Sequence, residues 1–241
     1  GAANLLRSNV NVAGEVRGFT ISRDIRASSV VAGSVPTLTI GRNLQSSSIT
    51  ASGNINTLSA GNRIADSEIA ITGPDGGIGT ITALTGIGGS ISATGPIGSI
   101  VVTAGDLTAT IRTTGSRGNI TALTATTGNV AITADVSGNI GTITAGRNIG
   151  DRGTRGVILV RGDLTTALAT NGQLYSDLRV GGSIGTVTLG GAVARPGNDQ
   201  VGRGSIIAFR SIGTVTSAGD FGGSILSYTG GITSVAITNG S

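Results

Sequence analysis

Short alternations of apolar and polar residues recur along the whole chain, and glycine-containing turns separate them. The segment Ile140–Ile149 (IGTITAGRNI) is one clear copy. Apolar residues at every second position, rich in Ile, Val, Leu and Thr and bounded by glycine, are typical of β-strands. No segment sustains the three- and four-residue apolar spacing of an amphipathic helix. The pattern therefore predicts an all-β chain with no substantial helix.

The alternations repeat at a period of roughly 20 residues, which is typical of solenoid proteins. Turns this short leave no room for crossover helices, so each unit predicts one coil of a parallel β-solenoid. We expect a single domain over residues 1–241, with about eleven coils about 4.8 Å apart and right-handed winding. The predicted units begin near Val16, Val35, Ile55, Ile78, Ile97, Ile120, Ile140, Val157, Ile184, Ile212 and Ile232.

Strand alternation also predicts which side chains point into the solenoid. One interior column is expected at Phe19, Leu38, Leu58, Ile81, Ile100, Leu123, Ile143, Leu159, Val187, Val215 and Val235. A second column is expected at Ile25, Leu44, Ile64, Leu107, Ile149, Leu164, Val193 and Phe221. The leading isoleucines of the units form a third column at a corner. These columns would make an aliphatic core.

Composition supports a narrow aliphatic interior and argues against catalysis. The chain has 43 glycines, only two tyrosines and three phenylalanines, and no Cys, His, Met or Trp. Lysine is absent as well, so all 16 basic residues are arginine. These absences exclude zinc fingers, Ser–His–Asp triads, cysteine nucleophiles and P-loop lysines. We therefore expect no enzyme, no cofactor and no catalytic residue; a carbohydrate-active β-helix enzyme, which needs clustered carboxylates, is the second alternative.

Charge and hydropathy narrow the expected partners and location. The net charge is +4 and the pI about 10.9, but only 12% of residues are charged and the arginines are scattered. Sequence-independent nucleic-acid binding requires a dense stripe of basic residues and aromatic side chains that stack on bases, so no nucleic-acid partner is expected. No run of 18 apolar residues predicts a membrane span. Low charge with abundant Gly, Thr, Ser and Asn favours an extracellular or cell-surface location.

A Thr-x-Thr pattern recurs on the outward side of the first strand of each unit. Its threonines are Thr37, Thr39, Thr57, Thr80, Thr82, Thr142, Thr144, Thr186, Thr188, Thr214 and Thr216. Such a ladder resembles the ice-binding face of β-solenoid antifreeze proteins, so ice or other flat-surface binding is the first alternative function. Threonine is also a good strand former, and cross-strand threonine pairs stabilise sheets. The structural interpretation of the ladder therefore competes with the binding one.

Two further features predict candidate sites. Polar residues recur at the turns: Asp24, Asn43, Asp106, Asn148, Asp163 and Asp220. Asx side chains that bond turn amides explain these residues, and a calcium site is the minor alternative. The units near Val157 and Ile184 are longer, which predicts projecting loops near 171–182 and 194–204. Loops on rigid scaffolds often bind ligands, and the expected binding residues are Tyr175, Asp177, Arg179, Arg195, Asp199 and Arg203.

Three segments resemble the hemagglutinin-type repeats of large secreted bacterial adhesins: AGRNIGDRG, SGNINTLSAGNRI and TAGDLTATIRTTG. The resemblance spans nearly the whole chain from Val16. It implies a long right-handed β-helix shaft, used for adhesion or as a spacer. The chain begins at Gly1 without Met, which fits a processed product or a piece of a longer shaft. We expect a structural protein whose partners are adjoining coils or other copies, end to end, with a cell-surface or carbohydrate ligand as a further candidate partner.

Overall fold

A computed structural model describes residues 3–153, 156–191 and 204–238 of the chain. Within these ranges the secondary structure consists of β-strands and turns, with no helix. In chain order the strands are β1 (Leu5–Leu6), β2 (Asn9–Glu15), β3 (Phe19–Ile21), β4 (Ile25–Arg26), β5 (Ser29–Ile40), β6 (Asn43–Gln45), β7 (Ser48–Ala51), β8 (Ile55–Ala60), β9 (Arg63–Ile71), β10 (Ile78–Ala83), β11 (Gly86–Ala93), β12 (Ile97–Val102), β13 (Asp106–Leu107), β14 (Thr110–Thr113), β15 (Ile120–Ala125), β16 (Thr133–Val136), β17 (Ile140–Ala145), β18 (Val157–Val160), β19 (Leu164–Ala169), β20 (Asp177–Val180), β21 (Ile184–Leu189), β22 (Ile206–Ala208), β23 (Ile212–Ser217), β24 (Ile225–Ser227) and β25 (Ile232–Ile237).

Every strand pairs in parallel with the equivalent strand of a neighbouring coil, which confirms the predicted parallel β-solenoid of about eleven coils. Each coil contributes to two ladders. The "first sheet" contains the short strands that open a coil, such as β4, together with the strand that follows the bend, such as β7. The "second sheet" contains β3, residues 35–40 of β5, and the strands β8, β10, β12, β15, β17, β19, β21, β23 and β25.

The second sheet keeps one register from end to end. Its central interior column runs from Phe19 and Leu38 through Ile143 to Val187 and Val215. The members from Leu38 to Val215 are at most 1% exposed. The leading isoleucines form a second buried column at the corner of the coil, as predicted, and Ile140 pairs directly with Ile120. The core is therefore a stack of aliphatic rows parallel to the rod axis.

One repeat frame predicted from the sequence is wrong. The strand equivalent to β17 begins at Leu164 and not at Val157, because Ile140 pairs with Leu164. Ala167 therefore fills the central column where Leu159 was predicted, and Leu159 lies on the first sheet, 37% exposed. The segment VILVRGDL (157–164) has the apolar pattern expected at the start of a unit. The true start, LTTALA (164–169), instead places the small residue Ala167 inside and Leu168 outside.

The first sheet has its own interior columns, one of which was predicted only in part. Ile25, Leu44 and Ile64 are stacked as expected. The column continues through residues that were not predicted, Ile87 and Val130, and then through Ile149 to Leu174, which replaces the expected Leu164. The predicted member Val193 lies outside the described residues. A further column was not predicted at all: Val10, Val30, Ile49, Ile69, Ile91, Ile111, Ala134, Ile158, Leu178, Ile206 and Ile225.

The first sheet bends sharply between its two strands in the N-terminal coils. The residue at the bend has a left-handed backbone in four successive coils: Arg7, Ala27, Ser46 and Asp66, with φ between 48° and 49°. In the last three of these coils the serine that follows is buried, and its hydroxyl accepts a hydrogen bond from the amide of the preceding coil's serine, as Ser47 does from Ser28 (3.2 Å). Serine hydroxyls thus accept hydrogen bonds from backbone amides that have no backbone acceptor at the bend.

Candidate functional site

The predicted threonine ladder is present as two rows on the outer side of the second sheet, which we call the threonine face. One row contains Thr37, Thr57, Thr80, Ser99, Ala122, Thr142, Thr166, Thr186, Thr214 and Ser234. The other contains Thr20, Thr39, Ser59, Thr82, Val101, Thr124, Thr144, Leu168, Thr188, Thr216 and Ala236. All eleven predicted threonines are in these rows.

The rows also contain Thr20, Thr124 and Thr166, which are not among the eleven predicted threonines. Thr166 was missed because of the shifted frame after Val157, since its neighbours along the row are Thr142 and Thr186. The alternation of β19 around Thr166 would have revealed it had the unit been started at Leu164.

The rows are regular but not fully solvated. Thr37, Thr39 and Thr57 are exposed, and the later threonines are half-buried between the side chains of adjacent coils. Two hydroxyl pairs bond along the first row: Ser99 donates to Thr80 (3.3 Å), and Ser234 donates to Thr214 (3.4 Å). The side-chain hydroxyls therefore form a regular array. Successive hydroxyls of one row are one coil apart along the rod, and the two rows are two residues apart along each strand.

The polar residues predicted at the turns form hydrogen-bonded ladders at two corners. At the first corner, Oδ1 of Asp24 accepts from the amide (3.1 Å) and the side chain (2.7 Å) of Asn43, and Asn62 donates in turn to Asn43 (2.9 Å). Asp106 and Asn148 are joined there through Asn129. Asparagine side chains thus bind coil to coil, which is the structural role anticipated for them.

The second corner has an equivalent ladder just before the leading isoleucines. Oδ1 of Asn119 accepts from the amide of Asn139 (2.7 Å), and Oδ1 of Asn139 accepts from the amide of Asp163 (2.8 Å). Asp163 therefore belongs to this ladder and not to the one containing Asp24. Among the described residues, no group of three or more carboxylates is placed to hold a metal ion.

The surroundings of the corner carboxylate Asp24 lower its pKa. Burial raises the pKa of Asp24, but hydrogen bonds from the side chain and amide of Asn43, together with nearby Arg26 and Arg42, outweigh that effect and lower it. The side chain also lies 3.4 Å from the Arg26 guanidinium. Asp24 is thus held in its charged form as an acceptor.

The prediction of a projecting loop near 171–182 is wrong. This segment belongs to a coil that is regular in the structure, and its residues form β20 and the corner before it. Tyr175 and Asp177 are only 8% and 6% exposed, so neither is available on a loop. Arg179 is exposed and pairs with Asp177 at 3.3 Å. The other predicted loop residues, Arg195, Asp199 and Arg203, lie outside the described residues.

A different segment covers Tyr175. The guanidinium of Arg152 lies 5.8 Å from the centre of the tyrosine ring, and its Nε donates to the phenolic oxygen (3.1 Å). The contact between Arg152 and Tyr175 therefore joins the coil that contains β17 to the next coil, which contains β19.

Carboxylates also line a shallow depression on the outer side of the bend in the first sheet. Asp66, Asp106 and Arg63 contribute to its lining, together with the glycines of β11. Asp66 and Asp106 belong to the two coils on either side of the coil that contains β11.

The fold places the chain in the class of parallel β-solenoid proteins. Comparison with known protein families, curated proteins and solved structures finds no match for it. No helix in the described part of the chain has the length and apolarity to cross a membrane.

Proposed function

We propose that this chain is a non-catalytic structural protein, a length of β-solenoid rod in an extracellular fibre, adhesin or surface layer. The observation that carries the proposal is the uniform stacking of coils along one axis. The polar residues at the turns contribute to it, because their side chains and amides hydrogen-bond from coil to coil. The likeness of AGRNIGDRG and its related segments to adhesin repeats supports an extracellular setting.

The last described coil supports continuation of the rod by further coils. Its interior side chains are uncovered: Ile232, Val235 and Ile237 are 40%, 47% and 50% exposed. The equivalent residues Ile212 and Val215, one coil earlier, are 0% and 1% exposed. A bare strand edge with apolar side chains beside it favours pairing with another strand, supplied by adjoining coils or by the N-terminal coil of another copy.

Electron microscopy of the purified chain tests this proposal. We expect rods about 50 Å long that join end to end as the protein concentration rises. The double variant Val235→Asp, Ile237→Asp places charges on the bare end and should leave single rods. The control Leu226→Asp alters an outward, 41% exposed side chain of the preceding strand, β24, and should join like the parent. Compact particles in place of rods would refute the structural proposal itself.

Binding of ice or another flat crystalline surface is the second candidate function. The regular rows of the threonine face favour it, because both rows keep their register through the second sheet. A thermal-hysteresis assay tests this candidate. Thr142→Tyr and Thr186→Tyr should abolish activity, and Thr133→Tyr, on the outer side of the first sheet, should preserve it. Parent protein without thermal hysteresis would reject ice binding and leave the rod proposal unaffected.

A further inference from the structure

The charges of this protein are strongly segregated between its two sheets. The chain has 16 arginines and 12 acidic residues, and none of them is in a strand of the second sheet. All residues of these strands lie within the described ranges. The first sheet has charged outward residues between β4 and β20: Arg26, Arg63, Glu68, Asp106, Arg112, Asp135 and Arg179.

A strand face without charge is unusual for a surface that remains in water. Soluble proteins place roughly a quarter to a third charged residues on their surfaces, which discourages sheet-to-sheet association. The two rows of the threonine face contain threonine, serine and alanine, with Val101 and Leu168 as the larger exceptions. Small side chains repeating at coil spacing are the arrangement that lets two sheets approach closely and interdigitate.

The face is large enough for a stable interface. Ten six-residue strands, from residues 35–40 to Ile232–Ile237, form its regular part. At about 4.8 Å between coils and about 3.3 Å per residue, this surface covers about 800 Å². A standard protein–protein interface buries about 800 Å² on each partner.

We propose that the threonine face is a self-pairing surface, on which a second copy of this chain docks face to face. A second copy has the same coil spacing, so the rows of one copy fit the grooves between the rows of the other along the full length. Hydroxyl groups both donate and accept hydrogen bonds, which makes a row of them complementary to itself. The resulting two-fold interface is closed and yields a pair of rods.

This inference rests on the proposed rod and adds lateral pairing to it. End-to-end joining uses the bare coil edge, whereas lateral pairing uses the outer side of the second sheet. The variant Val235→Asp, Ile237→Asp therefore removes the first kind of contact and preserves the second. In that background a closed dimer is the expected species, and the two associations are measured separately.

Analytical ultracentrifugation in the end-blocked background tests the pairing. We expect a monomer–dimer equilibrium that changes little with salt concentration, because no charge lies in the interface. Adding Thr142→Arg and Thr186→Arg should weaken dimerisation at least about a hundredfold, because two pairs of like charges would be buried. The matched control adds Thr110→Arg and Thr133→Arg, which are exposed on the first sheet, and should dimerise like the end-blocked parent. A monomer throughout, or equal effects of both arginine pairs, would overturn the proposal.

A single cysteine gives an independent measurement, since the chain has none of its own. Thr142 lies near the middle of its row, so a two-fold axis through the centre brings this position close to the partner's row. Mild oxidation of the end-blocked Thr142→Cys variant should give a disulfide-linked dimer, and the Thr133→Cys control should stay monomeric. Circular dichroism verifies that each variant keeps its β-structure. Crosslinking only through position 133 would assign pairing to the other sheet and refute the inference.

Discussion

Corner residues stabilise this solenoid by supplying acceptors for the backbone of the next coil. Oδ1 of Asn129 accepts from both the amide and the side chain of Asn148, each at 3.0 Å, and the side chain of Asn129 donates to Asp106 (3.2 Å). A buried or half-buried amide without an acceptor costs about 1–3 kcal/mol. Asparagine and aspartate suit these corners because their side chains are short, so that the side-chain oxygen contacts the adjacent coil only.

The corner carboxylate Asp24 should make stability depend on acid pH. Because its pKa is lowered in the folded chain, its contribution to stability is present above the unfolded pKa and is lost as pH falls through the folded one. We expect the unfolding free energy of Asp24→Asn to vary less than that of the parent below about pH 4. Urea unfolding over a pH series measures this. Asp151→Asn, an exposed carboxylate, is the control, and equal slopes for the parent and Asp24→Asn would contradict the assignment.

One glycine is required by both its backbone and its surroundings. Gly89 has φ +99°, and a Cβ there would lie 2.1 Å from the carbonyl oxygen of Ser67. We expect Gly89→Ala to lower the unfolding free energy by about 2 kcal/mol or more, since strain and clash add. Gly18→Ala, where a Cβ would meet nothing within 4 Å, should change stability by less than about 0.5 kcal/mol. Equal melting temperatures for the two variants would disprove this interpretation.

At the level of the strand, the same residue type contributes differently to the unfolding free energy in different coils. Val187 and Val235 occupy the same interior column of the second sheet, but Val187 is 0% exposed and Val235 is 47% exposed. Val187→Ala should cost about 2 kcal/mol of unfolding free energy, and Val235→Ala less than about 1 kcal/mol. Denaturation of both variants at high dilution makes the comparison. Equal costs would mean that the last coil is covered in solution.

Strand patterns predicted the solenoid and most of its registers, because Ile-Gly-Thr-Ile-Thr fixes both the corner and the inward position. The predicted start of one unit is wrong because, in that unit, the small side chain points into the core and the large one points outward. Ala167 is fully buried and Leu168 faces outward, so hydrophobicity alone favoured Val157 as the start of the unit. Ile87 and Val130 were missed because no long alternating run surrounds them.

The threonine rows could be predicted from the sequence, whereas the loop site could not. Thr142 and Thr186 follow directly from the repeat. Tyr175 was assigned to a projecting loop because the misplaced unit start made its coil too long. Its burial under Arg152 depends on contacts between residues 23 positions apart, which no local pattern reports.

For the whole molecule, each coil contacts only its neighbours, so damage should stay local. Ile143 is 0% exposed and pairs with Leu123 on one side and Ala167 on the other. In Ile143→Ala we expect faster amide hydrogen exchange in β15, β17 and β19 and nearly parental exchange in β8. Hydrogen-exchange mass spectrometry of the parent and variant tests this. Uniform acceleration along the chain would instead indicate one global cooperative unit.

The direction of the ladder bonds has a mechanical consequence. Backbone hydrogen bonds between coils, such as those joining β15, β17 and β19, run parallel to the rod axis. A pulling force applied at the two ends therefore loads the layers in series, and they peel apart one at a time. Each released coil of roughly 20 residues lengthens the tether by about 65 Å. Stretched between two anchors, the rod would yield in repeated small steps and dissipate work at each one.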